Sequence, residues 1–414
     1  MQWRPITLLL LITSIFLTAG CNGAFETDDV AYILSVGIDA APNNQFTITY
    51  RLAVPVSLAG LDPSQSQAKK SSTLVTLTAP SLSEGRNLLK SIISREPKIS
   101  QTKIIVVSED IARNGLDALL GSLTRYREYR GTIFLAVVRG SVREVFEKNA
   151  PDIDSLTSRW VETIFQSSNE SSYYLPADVH QFYKRLKNES GAPYTALMGL
   201  NPLVGENLTN SEPDKDKGKE LLATQMPRQS GNRLEILGTA VFKGDKLVGF
   251  LTNKETRAMS ILLGNFNRGF MTIEDPLEPT KAVNINIHLD TKPKINVDIS
   301  RDIPIITISI SLDGELIGIP TGINYEAPAF KTVLENQVSN TIAEQITSML
   351  SSTQQLGTDV VNFGYYIRPQ FTTLQELENY HWDSKYPQTI FKLEVHTKLR
   401  QSGLMRKTMP IRKD

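Results

Sequence analysis

The chain contains 414 residues with 44 basic and 44 acidic side chains, so its formal net charge at pH 7 is zero. Such a balance creates no strong field for nucleic acid or an acidic polymer, and we expect neither as a partner. A single cysteine excludes an internal disulfide, and the length is sufficient for two or three domains stabilised by packed cores.

The N-terminus has the organisation of a lipoprotein signal peptide. Residues 6–19 form an uncharged apolar block that follows Arg4, ends in small residues and is shorter than the about 20 residues of a membrane-spanning helix. The motif LTAGC over residues 17–21 resembles a bacterial lipobox, in which cleavage precedes the cysteine and a diacylglycerol is joined to its sulfur; Thr18 stands where leucine is usual. We predict a signal peptide over residues 1–20 and lipidation of Cys21. The alternative is an ordinary signal peptide beside an incidental cysteine.

A lipid on Cys21 would anchor the chain to a membrane, because two acyl chains make a stable tether. The remaining sequence contains no other segment that approaches the length of a transmembrane helix. We therefore expect the body of the protein to be an ectodomain outside the cytoplasm.

Strands and helices alternate after the signal peptide. Two β-rich runs flank the turn cluster DAAPNN and predict an antiparallel hairpin, and a helix over 83–97 places Leu88, Leu89, Ile92 and Ile93 on one apolar stripe. The continuous apolar run at 103–108 predicts a central strand, followed by one helix over 109–123. A second buried strand at 131–140 precedes a helix in which Ser141 and Glu144 have capping-box spacing. This order predicts an α/β part with at least one parallel crossover.

The middle of the chain separates two halves. Residues 152–200 have a mostly helical pattern, and residues 205–233 are charged, contain glycine and proline, and have few large apolar side chains, which is typical of a linker or a long loop. We therefore predict an N-terminal α/β domain over 21–204, a linker over 205–233 and a C-terminal α+β domain over 234–414. Further division of the C-terminal domain would give three modules in total.

The C-terminal half begins with two strands that meet at Gly244-Asp245, a pair that favours a tight hairpin. Thr252 and Glu255 have capping-box spacing and predict a helix that ends at Gly264. Three later runs alternate between apolar and polar residues, and a helical stripe extends over about 328–355. This half is predicted to be an antiparallel sheet covered by a long helix.

The sequence contains no pattern that predicts catalysis, a cofactor or a metal site. None of the four histidines, His180, His288, His381 and His396, has metal-ligand spacing to another, and nucleophile elbows and phosphate-binding loops are lacking. The segment DKDKGKE at 214–220 lacks the acidic residue at the twelfth position of a calcium loop. We therefore expect a protein that is not an enzyme.

Four blocks in order resemble the Ger(x)C family of spore germination lipoproteins. They are the opening hairpin at 28–55 with its Gly-Ile-Asp turn, the strand–helix–strand block at 100–147, the hairpin and helix at 238–265, and the Phe-Gly and Arg-Pro block at 359–371. The second block includes the family's Arg-x-x-Glu-x-Arg segment, here Arg125, Glu128 and Arg130.

The resemblance implies a C subunit of a GerA-type nutrient germinant receptor. It implies three mixed α/β modules on the outer face of the spore inner membrane, beside an A-type subunit and a multi-spanning, permease-like B-type subunit. We predict a partner-contact patch at Arg125, Arg127, Tyr129 and Arg130, because arginine and tyrosine are enriched at binding hot spots. A structural role, with Arg125 or Arg130 paired to an acidic group of the same domain, is the alternative for this patch.

Two other classes of protein remain open. A substrate-binding lipoprotein of an ABC importer shares the lipobox but usually has two similar α/β lobes. A lipid-anchored cell-wall hydrolase needs a metal or nucleophile set that this sequence does not show.

Overall fold

This computed structural model describes residues 29–54, 72–151, 157–188, 191–202, 220–401 and 408. The predicted signal peptide and Cys21 lie outside the described residues. Within the described ranges, no helix has both the length and the apolar character needed to cross a membrane.

The N-terminal sheet has ten strands in the order β10-β9-β8-β6-β5-β1-β2-β3, with β4 beside β1 and β7 beside β6. The strands are β1 (Val30–Ala41), β2 (Gln45–Ala53), β3 (Ser72–Ala79), β4 (Glu96–Lys98), β5 (Ile104–Ser108), β6 (Phe134–Arg139), β7 (Ala177–Asp178), β8 (Tyr194–Leu200), β9 (Leu234–Lys243) and β10 (Lys246–Leu251). Neighbours in the centre, β1, β5, β6 and β8, are parallel, and the outer pairs are antiparallel. Strand β5 is buried along its whole length, as its continuous apolar run predicts.

Helices cover both faces of this sheet. They are α1 (Leu82–Ile92), α2 (Glu109–Asn114), α3 (Asp117–Arg125), α4 (Val142–Lys148), α5 (Thr157–Gln166), α6 (Ser168–Ser171), α7 (Val179–Leu186) and α8 (Asn253–Leu262). One core contains apolar residues of α1, α2, α3 and α7, and the core on the opposite face contains those of α4 and α5.

The C-terminal sheet consists of β11 (Gly269–Glu274), β12 (Ala282–Leu289), β13 (Lys294–Asp298), β14 (Ile305–Gly318) and β15 (Ile390–Gln401). Helix α9 (Pro328–Gln355) buries its predicted stripe of Leu334, Val338, Ile342, Ile346 and Leu350 in the core of this half. Three short helices follow, α10 (Gly364–Ile367), α11 (Leu374–Asn379) and α12 (Trp382–Lys385). The predicted fold class is therefore confirmed. One detail differs from the prediction. The last strand, β15, pairs parallel with β14, whereas the other strand pairs of this sheet are antiparallel.

The hairpin β9–β10 belongs to the N-terminal sheet, although the sequence suggested that it opens the second unit. Strand β9 pairs with β8, which is itself a buried strand in a stretch predicted to be mostly helical. Residues 220–233 also pack against this sheet: Ala223 N donates to Leu237 O at 3.0 Å and Thr224 N to a carboxylate oxygen of Glu235 at 2.7 Å. This part of the predicted linker is therefore attached to the fold, while the division into domains remains a prediction.

Two local predictions differ from the structure in an informative way. The stripe predicted for α1 is buried only in part, because Leu89 is buried whereas Leu88 and Ile92 are 38% and 59% exposed.

The predicted capping box of α4 is only half present. Ser141 Oγ accepts from Glu144 N, but the Glu144 side chain pairs with Lys148 instead of returning to the cap.

Candidate contact surface

The predicted patch lies on the turn that follows α3, and Arg86 of α1 fixes this turn. Arg86 Nη1 donates to the Tyr126 hydroxyl at 2.6 Å, and Arg86 Nη2 lies 3.1 Å from a carboxylate oxygen of Glu128. The Tyr126 hydroxyl donates in turn to Glu128 at 2.9 Å. These contacts raise the pKa of the Arg86 guanidinium against the lowering effect of its own burial, so the group stays charged. The middle of the Arg-x-x-Glu-x-Arg segment is thus held by a residue about 40 positions upstream.

Tyr129 anchors the turn to the core. Its side chain is half-buried against the core beneath α1 and contacts the Tyr126 ring edge-on, with centroids 6.0 Å apart. Burial raises the pKa of the Tyr129 phenol to about 12, so the ring stays neutral. Among the four residues predicted for the patch, Tyr129 is therefore the one that packs against the core and has a structural role.

The three arginines of the predicted patch lie on the surface. Arg125, Arg127 and Arg130 are exposed, and none of them forms an ion pair with a described residue. Glu128, the acidic residue within the segment, forms its ion pair with Arg86 instead. Tyr126, 42% exposed, lies among them. The structure therefore places three exposed arginines on a turn that Arg86 fixes.

One position beyond the carboxyl ends of the parallel strands is occupied by a side chain of the protein. Ligands of such sheets bind beyond the carboxyl ends of the parallel strands. Here the Asp39 carboxylate at the end of β1 accepts from Val142 N at 2.8 Å and Arg143 N at 3.0 Å, at the first turn of α4. Gly37 permits this docking, because a Cβ at that position would lie 2.6 Å from the Val142 side chain. The Gly-Ile-Asp block, predicted as a turn, is thus part of β1 and serves helix packing.

A polar cleft of about 570 Å³ lies where α7 meets the C-terminal half. Its lining includes Arg185, whose Nη1 donates to Val360 O at 3.1 Å and whose guanidinium carbon lies 4.3 Å from the centre of the Tyr194 ring. The hydrogen bonds of Arg185 join the two halves of the chain. In the part of the chain that the structure describes, no group of three or more His, Cys, Asp or Glu side chains is placed to hold a metal ion.

Together these features define a mixed α/β protein with two sheets and a fixed turn that carries exposed arginines. Two family models match it in order: the spore germination protein N-terminal domain over residues 24–200, and the spore germination B3/GerAC-like C-terminal domain over residues 237–403. The chain therefore belongs to the Ger(x)C family of spore germination proteins, which confirms the resemblance inferred from its sequence.

Curated relatives match along nearly their whole length. Spore germination protein KC of Bacillus subtilis (strain 168) is 22% identical over 96% of this chain and 95% of its own. Spore germination protein B3 of the same organism is 22% identical over 94% and 95%, and spore germination protein GerQC of Bacillus cereus is 21% identical over 96% and 98%. The crystal structure of the GerBC protein aligns with a TM-score of 0.53 and 20% identity, covering 88% of this chain and 96% of that one, which shows a shared fold.

Proposed function

We propose that this protein is a membrane-anchored lipoprotein subunit of a spore nutrient germinant receptor. In this proposal it takes part in nutrient-triggered germination by assembling with membrane-spanning A-type and B-type subunits at the spore inner membrane. It acts through contacts and not through catalysis. The general role in germination follows from its family, whereas the anchor and the assembly are the proposed parts.

One observation carries the proposal: the family match begins at residue 24, three residues after Cys21. The region matched by the two family models thus follows the predicted lipidation site, and the segment before it has the composition of a signal peptide. An acylated Cys21 would hold the ectodomain close to membrane partners. Such tethering raises their effective concentration without any additional contact.

Mass spectrometry of the N-terminus tests the anchor. We expect the mature wild-type chain to begin with Cys21 and to carry two acyl chains. The variant Thr18→Leu, which restores the usual lipobox residue, should be processed in the same way and serves as the matched control. In Cys21→Ala, both acylation and cleavage should be lost, and nutrient-triggered germination should slow.

Location alone does not test the anchor, because the uncut apolar segment of Cys21→Ala binds a membrane interface weakly even though it is too short to span it. Lipid attachment must therefore be measured directly. An unmodified cysteine in the wild-type chain, or a mature N-terminus elsewhere, would contradict the lipoprotein assignment.

A further inference from the structure

The two sheets have five outer strands, β3, β10, β11, β13 and β15, and four of these edges are blocked. A free sheet edge invites pairing with another chain, and proteins usually protect it with charge, bulges or covering elements. Helix α9 covers β15: Ser339 Oγ accepts from Thr397 N at 3.0 Å, and the Glu335 carboxylate accepts from Leu399 N at 2.8 Å. Arg257 donates to the Phe270 carbonyl of β11 at 3.4 Å. Strand β10 is short, contains a lysine and has an irregular register. Strand β13 contains a lysine and an aspartate, and its Val297 carbonyl accepts from Gln370 Nε2 at 2.7 Å.

Within the described residues, the edge of β3 has none of these protections. Its eight residues, STLVTLTA, include no charge, proline or glycine. It pairs with β2 in an unbroken register from Phe46↔Ala79 to Ala53↔Ser72. Within the described residues, β2 is the only strand that pairs with it. This edge is therefore straight, uncharged and composed largely of strand-forming residues.

Helix α1 presents an apolar flank beside the same edge. It lies over β2 and β3, since a Cβ at Gly85 would meet Ile48, Tyr50 and Ala79. The flank with Arg86 and Lys90 faces inward, toward Tyr126 and Glu96. At 100° per residue, Leu88 and Ile92 lie on the opposite flank, which faces outward past β3. This explains why both are exposed although their spacing predicted a buried stripe.

We propose that β3 is the interface of a homodimer, in which two copies pair their β3 strands antiparallel and continue the sheet. Directly opposite residues in such a pair point to the same face. A two-fold axis perpendicular to the sheet therefore centres the register on Val75 or on Thr76. Either register places Thr, Val and Leu side chains opposite one another, which are favourable cross-strand pairs.

A second copy fits this surface better than an unrelated extended segment. The edge carries no charge that would select a charged partner strand. A lone foreign strand would also leave Leu88 and Ile92 exposed. A second copy supplies the strand together with its own α1 at the symmetric position, so the two apolar flanks cover each other across the axis. This inference does not depend on the lipid anchor.

Light scattering and sedimentation of the full chain in detergent, over a concentration series, test the dimer. We expect a dimer whose dissociation constant rises about tenfold or more in Ile92→Glu, because each dimer loses two buried isoleucines and gains facing charges. Thr78→Lys, which introduces a common edge-protecting residue, should weaken it likewise. Leu374→Glu is the matched control, since Leu374 is 60% exposed on the C-terminal half and Ile92 is 59% exposed.

Hydrogen exchange provides a second measurement. The outward amides of β3 should become protected as the concentration rises, whereas the protection of β10 should not change. A monomer at all concentrations would overturn the proposal, as would a dimer that persists in both Ile92→Glu and Thr78→Lys, or one that Leu374→Glu dissociates equally. Protection of β3 in a mixture with another protein, but never in the chain alone, would also overturn it in favour of a foreign strand.

Discussion

At the residue scale, Asp359 organises the Phe-Gly block at residues 363–364. The side chain is buried and accepts from Asn362 N at 2.8 Å, Gly364 N at 2.9 Å and the Trp382 indole nitrogen at 2.9 Å. Burial raises the pKa of the Asp359 carboxyl to about 6, although these donors each act to lower it. Its backbone oxygen also accepts from Ala192 N, so the same residue contacts the N-terminal half.

The raised pKa predicts a specific dependence on pH. The folded state holds the Asp359 proton more tightly than the unfolded state, whose pKa is near 3.8. The contribution of this group to stability is therefore fully present below about pH 4 and is lost as the pH rises through about 6. We expect the indole N–H resonance of Trp382 to titrate with a midpoint near pH 6.

The indole of Trp160, which forms no hydrogen bond to a carboxylate of a described residue, is the internal control for this titration. In Asp359→Asn the Trp382 titration should vanish, and the free energy of unfolding should fall by about 1–3 kcal/mol, since an amide N–H₂ would face other donors. A Trp382 midpoint near pH 4 would show that the hydrogen bonds outweigh the burial of the carboxyl.

At the scale of elements, the break between α2 and α3 is explained by a distant hairpin. The sequence predicts one helix over 109–123, but the chain turns at Gly115, where φ is +120°. The tip of the β9–β10 hairpin docks there: Leu116 N donates to Asp245 O at 3.1 Å and Asp117 N to the Asp245 carboxylate at 3.1 Å. A Cβ at Gly115 would lie 2.5 Å from that carboxylate. Asp245 thus caps α3 across 128 positions of sequence.

The same hairpin gives a stability prediction. Gly244 has φ +59°, and no heavy atom lies within 4 Å of a Cβ built there, so a substitution acts through the backbone alone. Gly244→Val should lower the free energy of unfolding by about 1–3 kcal/mol, because a β-branched residue is strained in this conformation. Gly244→Asn is the control and should cost less, since asparagine tolerates left-handed backbone. Equal melting temperatures for Val and Asn variants would contradict this account of the turn.

The sequence predicted correctly those elements that are determined by neighbouring residues in the chain. The capping box of Thr252 and Glu255 is present with both of its hydrogen bonds, and α9 spans the predicted 328–355. Asn43 and Asn44 both adopt positive φ at the predicted first turn. In contrast, the helix break at Gly115 depends on Asp245, which no local pattern can indicate. For the same reason, the exposure of Leu88 and Ile92 depends on where α1 lies on the sheet.

At the scale of the whole molecule, hydrogen bonds between distant elements join the two halves. The Glu255 carboxylate that caps α8 also accepts from Ser352 at 2.5 Å and from Ser348 at 3.3 Å, both on α9. The capping role of Glu255 was predictable from sequence spacing. Its hydrogen bonds to α9 were not, because they depend on how α9 packs beside α8. The predicted patch lies on a turn held by Arg86, a residue that carries no sequence signal. That its arginines contact a partner remains a prediction.

The arginine surface should matter for assembly and not for folding. Arg127 and Arg130 are exposed and form no ion pair with a described residue, so Arg127→Glu and Arg130→Glu should leave the melting temperature unchanged. If these residues contact the A-type or B-type subunit, each reversal should weaken co-purification by about tenfold or more, as expected for an arginine at a binding hot spot, and should slow nutrient-triggered germination. Lys398→Glu, a charge reversal at an exposed position of β15, is the control. Stable Arg127→Glu and Arg130→Glu proteins that assemble and germinate normally would exclude this surface, leaving the turn with the structural role that Arg86, Glu128 and Tyr129 already give it.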